Sequence, residues 1–174
     1  MQLTSLNLET YHPWVKNLTN EGYRIIPISN ITGDVSRQKI SRLCQDVYMA
    51  THRDNPPAEL SVTQWMDRVF VEDLIPQGSF IVRYQSEDIA VALLHRNKSK
   101  HAVELGWRGV THAHRLKDRM LMMATAVLQA EYAVSHGAQL MLLECDSTDP
   151  WSTYLLNAFP FLPAPAWITW KRES

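Results

Sequence analysis

Glu104 is the residue that first invites a chemical reading. It falls in 102–111, a stretch that alternates like a strand, with Gly106 on its own face and Leu105 and Trp107 on the other. A carboxylate there is either a solvated strand residue or a proton acceptor. Six residues after Glu104 comes Val110, and beyond it a basic turn, 112–119, that carries Arg115, Lys117 and Arg119. Asp146 ends a later apolar run, and Tyr154 and Asn157 lie on a short helix after it. On their own terms Asp146 suits the cap of the turn with Ser147 and Thr148, Tyr154 a half-buried ring, and Asn157 a helix end. His112 and His114 are one residue apart and His101 is near them. No full ligand set has a recognised spacing, so no metal site is expected.

The elements that must hold these groups follow from pattern. Tyr11, Val15 and Leu18 suit a short helix ending at Gly22, and 23–28 reads as a strand. Apolar positions 35, 40, 43, 44, 47 and 48 predict an amphipathic helix over 35–50. The loop 51–60 contains His52, Arg53 and Asp54 before Pro56-Pro57. Ser61 with Gln64 predicts a capping box at the start of a helix over 62–71. Strands follow at 79–85 and 89–96, joined by the turn Ser86-Glu87-Asp88, and 102–111 completes a meander. A long helix over 117–136 ends at Gly137, and 139–145 reads as a strand buried on both faces. A short helix from Pro150 and strand material over 161–171 finish the chain.

Three pieces of sequence carry a resemblance. They are Glu104-Leu-Gly-Trp-Arg-Gly-Val110 with the long helix after it, Met141-Leu-Leu-Glu-Cys-Asp146 followed by Asn157 and Phe161, and the order of the elements. Together they resemble the GNAT superfamily of acyl-CoA-dependent N-acyltransferases, over about 23–172. The resemblance implies an α/β (α+β) fold: a mixed, mostly antiparallel sheet of six or seven strands flanked by about four helices. It implies transfer of an acetyl group from acetyl-CoA to a primary amine of a small molecule or peptide. In such a site the pantetheine arm pairs like an added strand in the gap between two splayed strands, here beside Gly109, Val110 and Thr111. The pyrophosphate lies at the start of the next helix, where backbone amides and the helix dipole favour an anion.

The family's phosphate signature is Arg or Gln, a two-residue spacer, Gly, one residue, then Gly or Ala. In register from Val110 its first position falls on Arg115, while its glycine positions fall on Asp118 and Met120. Arg115, Lys117 and Arg119 supply positive charge around Asp118. By the same resemblance Glu104 takes the place of a general base and Tyr154 lies on the helix that carries a general acid. Asn157 would bond the cofactor. His52 and Asp54, with Trp107 and Asp146, would face the acceptor. The missing glycines also motivate an alternative: a degenerate, non-catalytic GNAT-fold domain with a ligand-binding or assembly role.

Composition bounds the rest. The chain has 174 residues, a size that suits one compact domain, and the resemblance implies 1–22 as an extension or linker remnant and 23–174 as the domain. A net charge of −1 and a short basic turn give no footprint for nucleic acid or an anionic membrane. Cys44 and Cys145 form no CxxC, and with no signal-peptide pattern at the N-terminus they suit a cytoplasmic protein. The most apolar stretch, 120–134, is interrupted by Gln129 and Glu131 and is too short to span a bilayer. Trp167 and Trp170 would suit a homodimer interface.

Overall fold

A computed structural model describes residues 1–52, 59–111, 117–145 and 149–163. Five strands form one sheet in chain order: β1 (Tyr23–Pro27), β2 (Phe80–Tyr84), β3 (Glu87–Arg96), β4 (Ala102–Val110) and β5 (Leu140–Leu143). Neighbours are antiparallel except β4 and β5, which run parallel across the helical crossover. The helices are α1 (His12–Asn20), α2 (Asp34–Thr51), α3 (Val62–Val69), α4 (Asp118–Ser135) and α5 (Pro150–Ala158). This is the expected mixed, mostly antiparallel architecture, with five strands among the described residues instead of six or seven and one more α-helix. Residues 161–163 are not in a strand, and most of the expected last strand, with Trp167 and Trp170, lies outside the described residues.

Local chemistry explains most boundaries. Ser61 accepts from the Gln64 amide at 3.3 Å while the Gln64 side chain accepts from the Ser61 amide at 2.8 Å, the reciprocal capping box that starts α3. Gly137, at φ +80°, takes the left-handed conformation that ends α4. The β2–β3 turn is tighter than the acidic triplet suggests. Glu87 pairs with Tyr84, so Glu87 and Asp88 belong to β3, and Gln85 turns the chain with φ +54°. Asp88 instead pairs across the strands with Arg83 at 2.6 Å.

One expectation is corrected by packing. β5 is not buried on both faces: Met141 is buried, but Leu142 is 39% exposed. The outer edge of β5 is covered by the first residues of the chain. The Met1 and Met141 backbones exchange hydrogen bonds of 2.8 and 2.9 Å, and the Leu3 amide donates to Gln139 O at 2.8 Å. Met1, Leu3 and Leu18 are buried in the same core as β3 and α4, and α1 packs on α4. Residues 1–22 are therefore built into the domain.

The sheet separates two helical layers. Arg108 reaches Gln129 of α4, and Gly78 lies against Leu94 and Tyr132, so these side chains mark the α4 face. Gly109 lies against Val47 of α2, which marks the α2–α3 face. Among the described residues no helix is long and apolar enough to cross a membrane.

Candidate active site

The site begins with an irregularity in β4. Ala92 of β3 faces Arg108 and Leu94 faces Leu105, so Leu93 alone opposes both Gly106 and Trp107. Two residues against one is a β-bulge, and it advances the alternation by one residue. Trp107 therefore lies on the same face as Glu104 and Gly106, contrary to the simple alternation. There its ring meets Tyr48 of α2 and Trp65 of α3 edge-on, with centroids 5.3 and 5.6 Å away. His52, at the end of α2, stacks on Tyr48 at 3.8 Å and completes an aromatic group over the bulge.

A second irregularity lies on the other edge of β4. Pairing with β5 runs from Ala102–Leu140 to Leu105–Leu143 and stops there among the described residues. From Gly106 to Val110 the strand keeps β3 on one side and loses β5 on the other. The bulge and the parting of the strands thus coincide.

The bulge has its own support. On the α4 face, Arg108 Nε donates to Gly106 O at 3.3 Å and its Nη2 donates to Gln129 Oε1 at 3.4 Å. Gln129 Nε2 in turn donates to Ala92 O at 3.2 Å. The two side chains satisfy carbonyls on either side of the irregular pairing. Burial pushes the Arg108 guanidinium down to about 10, against an opposing pull from Asp149. It stays charged at neutral pH, and its Nη1 has no hydrogen-bond partner among the described residues.

The predicted residues divide into groups. Glu104 faces the α2–α3 layer, where Asn97 Nδ2 donates to its carboxylate at 3.2 Å. Gly109 and Val110 lie on the unpaired part of β4, and the Thr111 amide donates to Ile89 O at 2.8 Å. Trp151 of α5 presses on Gly109 beside Val47 and is only 2% exposed. Tyr154 is drawn to the start of α4, where its hydroxyl donates to Asp118 Oδ2 at 3.4 Å. Burial and that carboxylate raise its pKa. Asn157 is exposed. Asp54, Arg115 and Asp146 lie outside the described residues, as do His112 and His114.

The start of α4 does not fit a diphosphate as it stands. The Asp118 carboxylate accepts the Arg119 amide, so an anion already occupies part of the helix N-terminus. Lys117 is 2.7 Å from Glu21, Arg119 lies 5.9 Å over the Trp14 ring, and Met120 packs against the core. The edge of β4 fits an extended amide chain, while at the start of α4 the Asp118 carboxylate takes up part of the helix N-terminus.

No protein-family model and no curated protein matches the sequence. Solved structures do. An aminoglycoside acetyltransferase, meta-AAC0020, from an uncultured soil metagenomic sample and in complex with sisomicin, matches with a TM-score of 0.58 at 8% identity, over 88% of this chain and 97% of that one. AAC(6')-Iy in complex with a CoA bisubstrate analogue matches with 0.58 at 13%, over 87% and 99%. The integron cassette protein VCH_CASS6 from V. cholerae matches with 0.59 at 12%, over 88% and 93%. The chain has the GNAT fold.

Two residues near Glu104 escape the sequence reading. His95 of β3 is its direct cross-strand neighbour, and Asp73 sits beside His95. His95 ends an apolar run as one more strand residue. Asp73 lies in a segment without helix or strand pattern, and only tertiary pairing brings it there.

Proposed function

We propose that the protein is a GNAT-type N-acetyltransferase that moves an acetyl group from acetyl-CoA to a primary amine of a small molecule or peptide in the cytoplasm. One observation carries the reading: the edge of β4 from Gly106 to Val110 loses β5 where the bulge turns Trp107 toward Glu104. An acyl-CoA arm would pair with that edge, and a backbone amide there would hold the carbonyl oxygen as it becomes an oxyanion. Tyr48 and Trp107, on the same face of the sheet as the Glu104 carboxylate, suit a cationic amine, through ring faces and charge. Aminoglycosides, one of which is bound in the complex of a structural neighbour, are the first acceptors to try.

Titration calorimetry with coenzyme A and acetyl-CoA, paired with thiol release in the presence of an amine panel, tests the reading. Saturable binding with amine-dependent thiol release is expected. Absence of binding at millimolar acetyl-CoA overturns it. That outcome favours the second reading, a non-catalytic GNAT-fold domain, which is supported by the Asp118 carboxylate at the helix N-terminus.

A further inference from the structure

His95 lies where the proposed reaction needs a proton acceptor. Its ring rests directly on Gly106 of the bulge: a Cβ there would overlap the imidazole and fall 2.5 Å from Nε2. Nε2 is therefore on the side of the bulge. The other nitrogen, Nδ1, lies 3.5 Å from Asp73 Oδ2. Asp73 is held there by the backbone: Arg96 N donates to Asp73 O at 2.7 Å and Ile75 N donates to Leu94 O at 2.8 Å, a short ladder continuing the free edge of β3. The His95 side chain is 17% exposed, so it is enclosed but reachable.

We propose that His95, oriented by Asp73, accepts the proton of the acceptor amine, and that Glu104 acts on the charge of this pair from across the strand. The inference rests on the acetyl-transfer reading. The bound ammonium gives a proton to the neutral Nε2 while Asp73 keeps the remaining proton on Nδ1. The amine lone pair then forms the C–N bond to the thioester carbonyl, and the C–S bond breaks. Of the two protons the nitrogen loses, one ends on the thiolate and one passes through His95 to solvent.

The charged groups that act on the imidazole are Asp73, from the segment before β2, and Glu104, from β4. Burial holds the imidazole below its ordinary pKa, and both carboxylates oppose that shift. The ring is thus neutral near pH 7 and ready to accept. Activity should fall as pH drops through its pKa, because the imidazolium has no lone pair to offer.

The test combines kinetics with ring NMR on the full chain. His95→Gln should lower kcat/KM about 10²-fold and remove the acidic limb of the pH–rate profile. Asp73→Asn should keep part of the activity and move that limb to lower pH. Nitrogen-15 ring shifts of the wild type should show the Nδ1–H tautomer, and Asp73→Asn should lower the ring pKa. A wild type that acetylates amines alongside a His95→Gln protein with an unchanged profile would sink the inference and leave the acetyl-transfer reading standing. An Nε2–H tautomer would also sink it, whatever the variants' stability. A wild type that neither binds acetyl-CoA nor releases thiol removes both.

Discussion

Gly106 has no side chain because His95 is beside it. Its φ is ordinary, so the requirement is space and not backbone freedom. Gly106→Ala should force the imidazole off the bulge, and the new Cβ would also fall 3.3 Å from Leu93 Cβ. A loss of about 1–3 kcal/mol in urea unfolding is expected, together with a changed His95 ring signal. Asp118 makes the opposite case, a side chain where space would serve better. Its carboxylate accepts the Arg119 amide and receives the Tyr154 hydroxyl. Asp118→Gly removes the anion from the start of α4 and frees an amide for phosphate. Coenzyme A should bind more tightly by about 1 kcal/mol, roughly fivefold in Kd by calorimetry. Weaker binding would mean that the carboxylate has become part of the site.

At the scale of elements, the deciding feature is the bulge, and it was the feature least legible in the sequence. The capping box at Ser61, the stop at Gly137 and the Glu104–Gly106 face follow from short-range rules and hold in the structure. Bulging depends on how β3 and β4 align, so Trp107 could not be assigned its face from alternation alone. Likewise Asp73 reaches His95 only through pairing made by tertiary contact. The bulge is bought with a buried charge: Arg108 and Gln129 satisfy Gly106 O and Ala92 O from the α4 side. Gln129→Leu would leave Ala92 O without its side-chain donor and Arg108 with less compensation in an apolar layer. A loss of about 2–4 kcal/mol in denaturant unfolding is expected, well above that of an exposed polar substitution. A variant as stable as the wild type would show that the two side chains do not hold the bulge.

At the scale of the whole molecule, β5 forms one wall of the gap beside β4, and its position depends on what covers its outer edge. An uncovered edge exposes unpaired amides and carbonyls to other chains. Here Met1 and Leu3 supply the pairing, Leu3 is only 2% exposed, and α1 carries the same segment back onto α4. The resemblance set residues 1–22 apart as an extension, and their scattered apolar positions give no pattern that ties them to the core. The chain joins those positions to the core by distance in space, not by a pattern in sequence. If the segment is integral, truncating one of its buried side chains should cost what a core truncation costs. Leu3→Ala should lower unfolding free energy by about 2–4 kcal/mol in a single urea transition whose slope is unchanged. An appended segment would instead yield a wild-type midpoint. The same variant tests the link to the site. With β5 less firmly held, coenzyme A affinity should fall even at temperatures where the protein stays folded. Unchanged affinity in a destabilised Leu3→Ala protein would separate the stability of the wall from its role in binding.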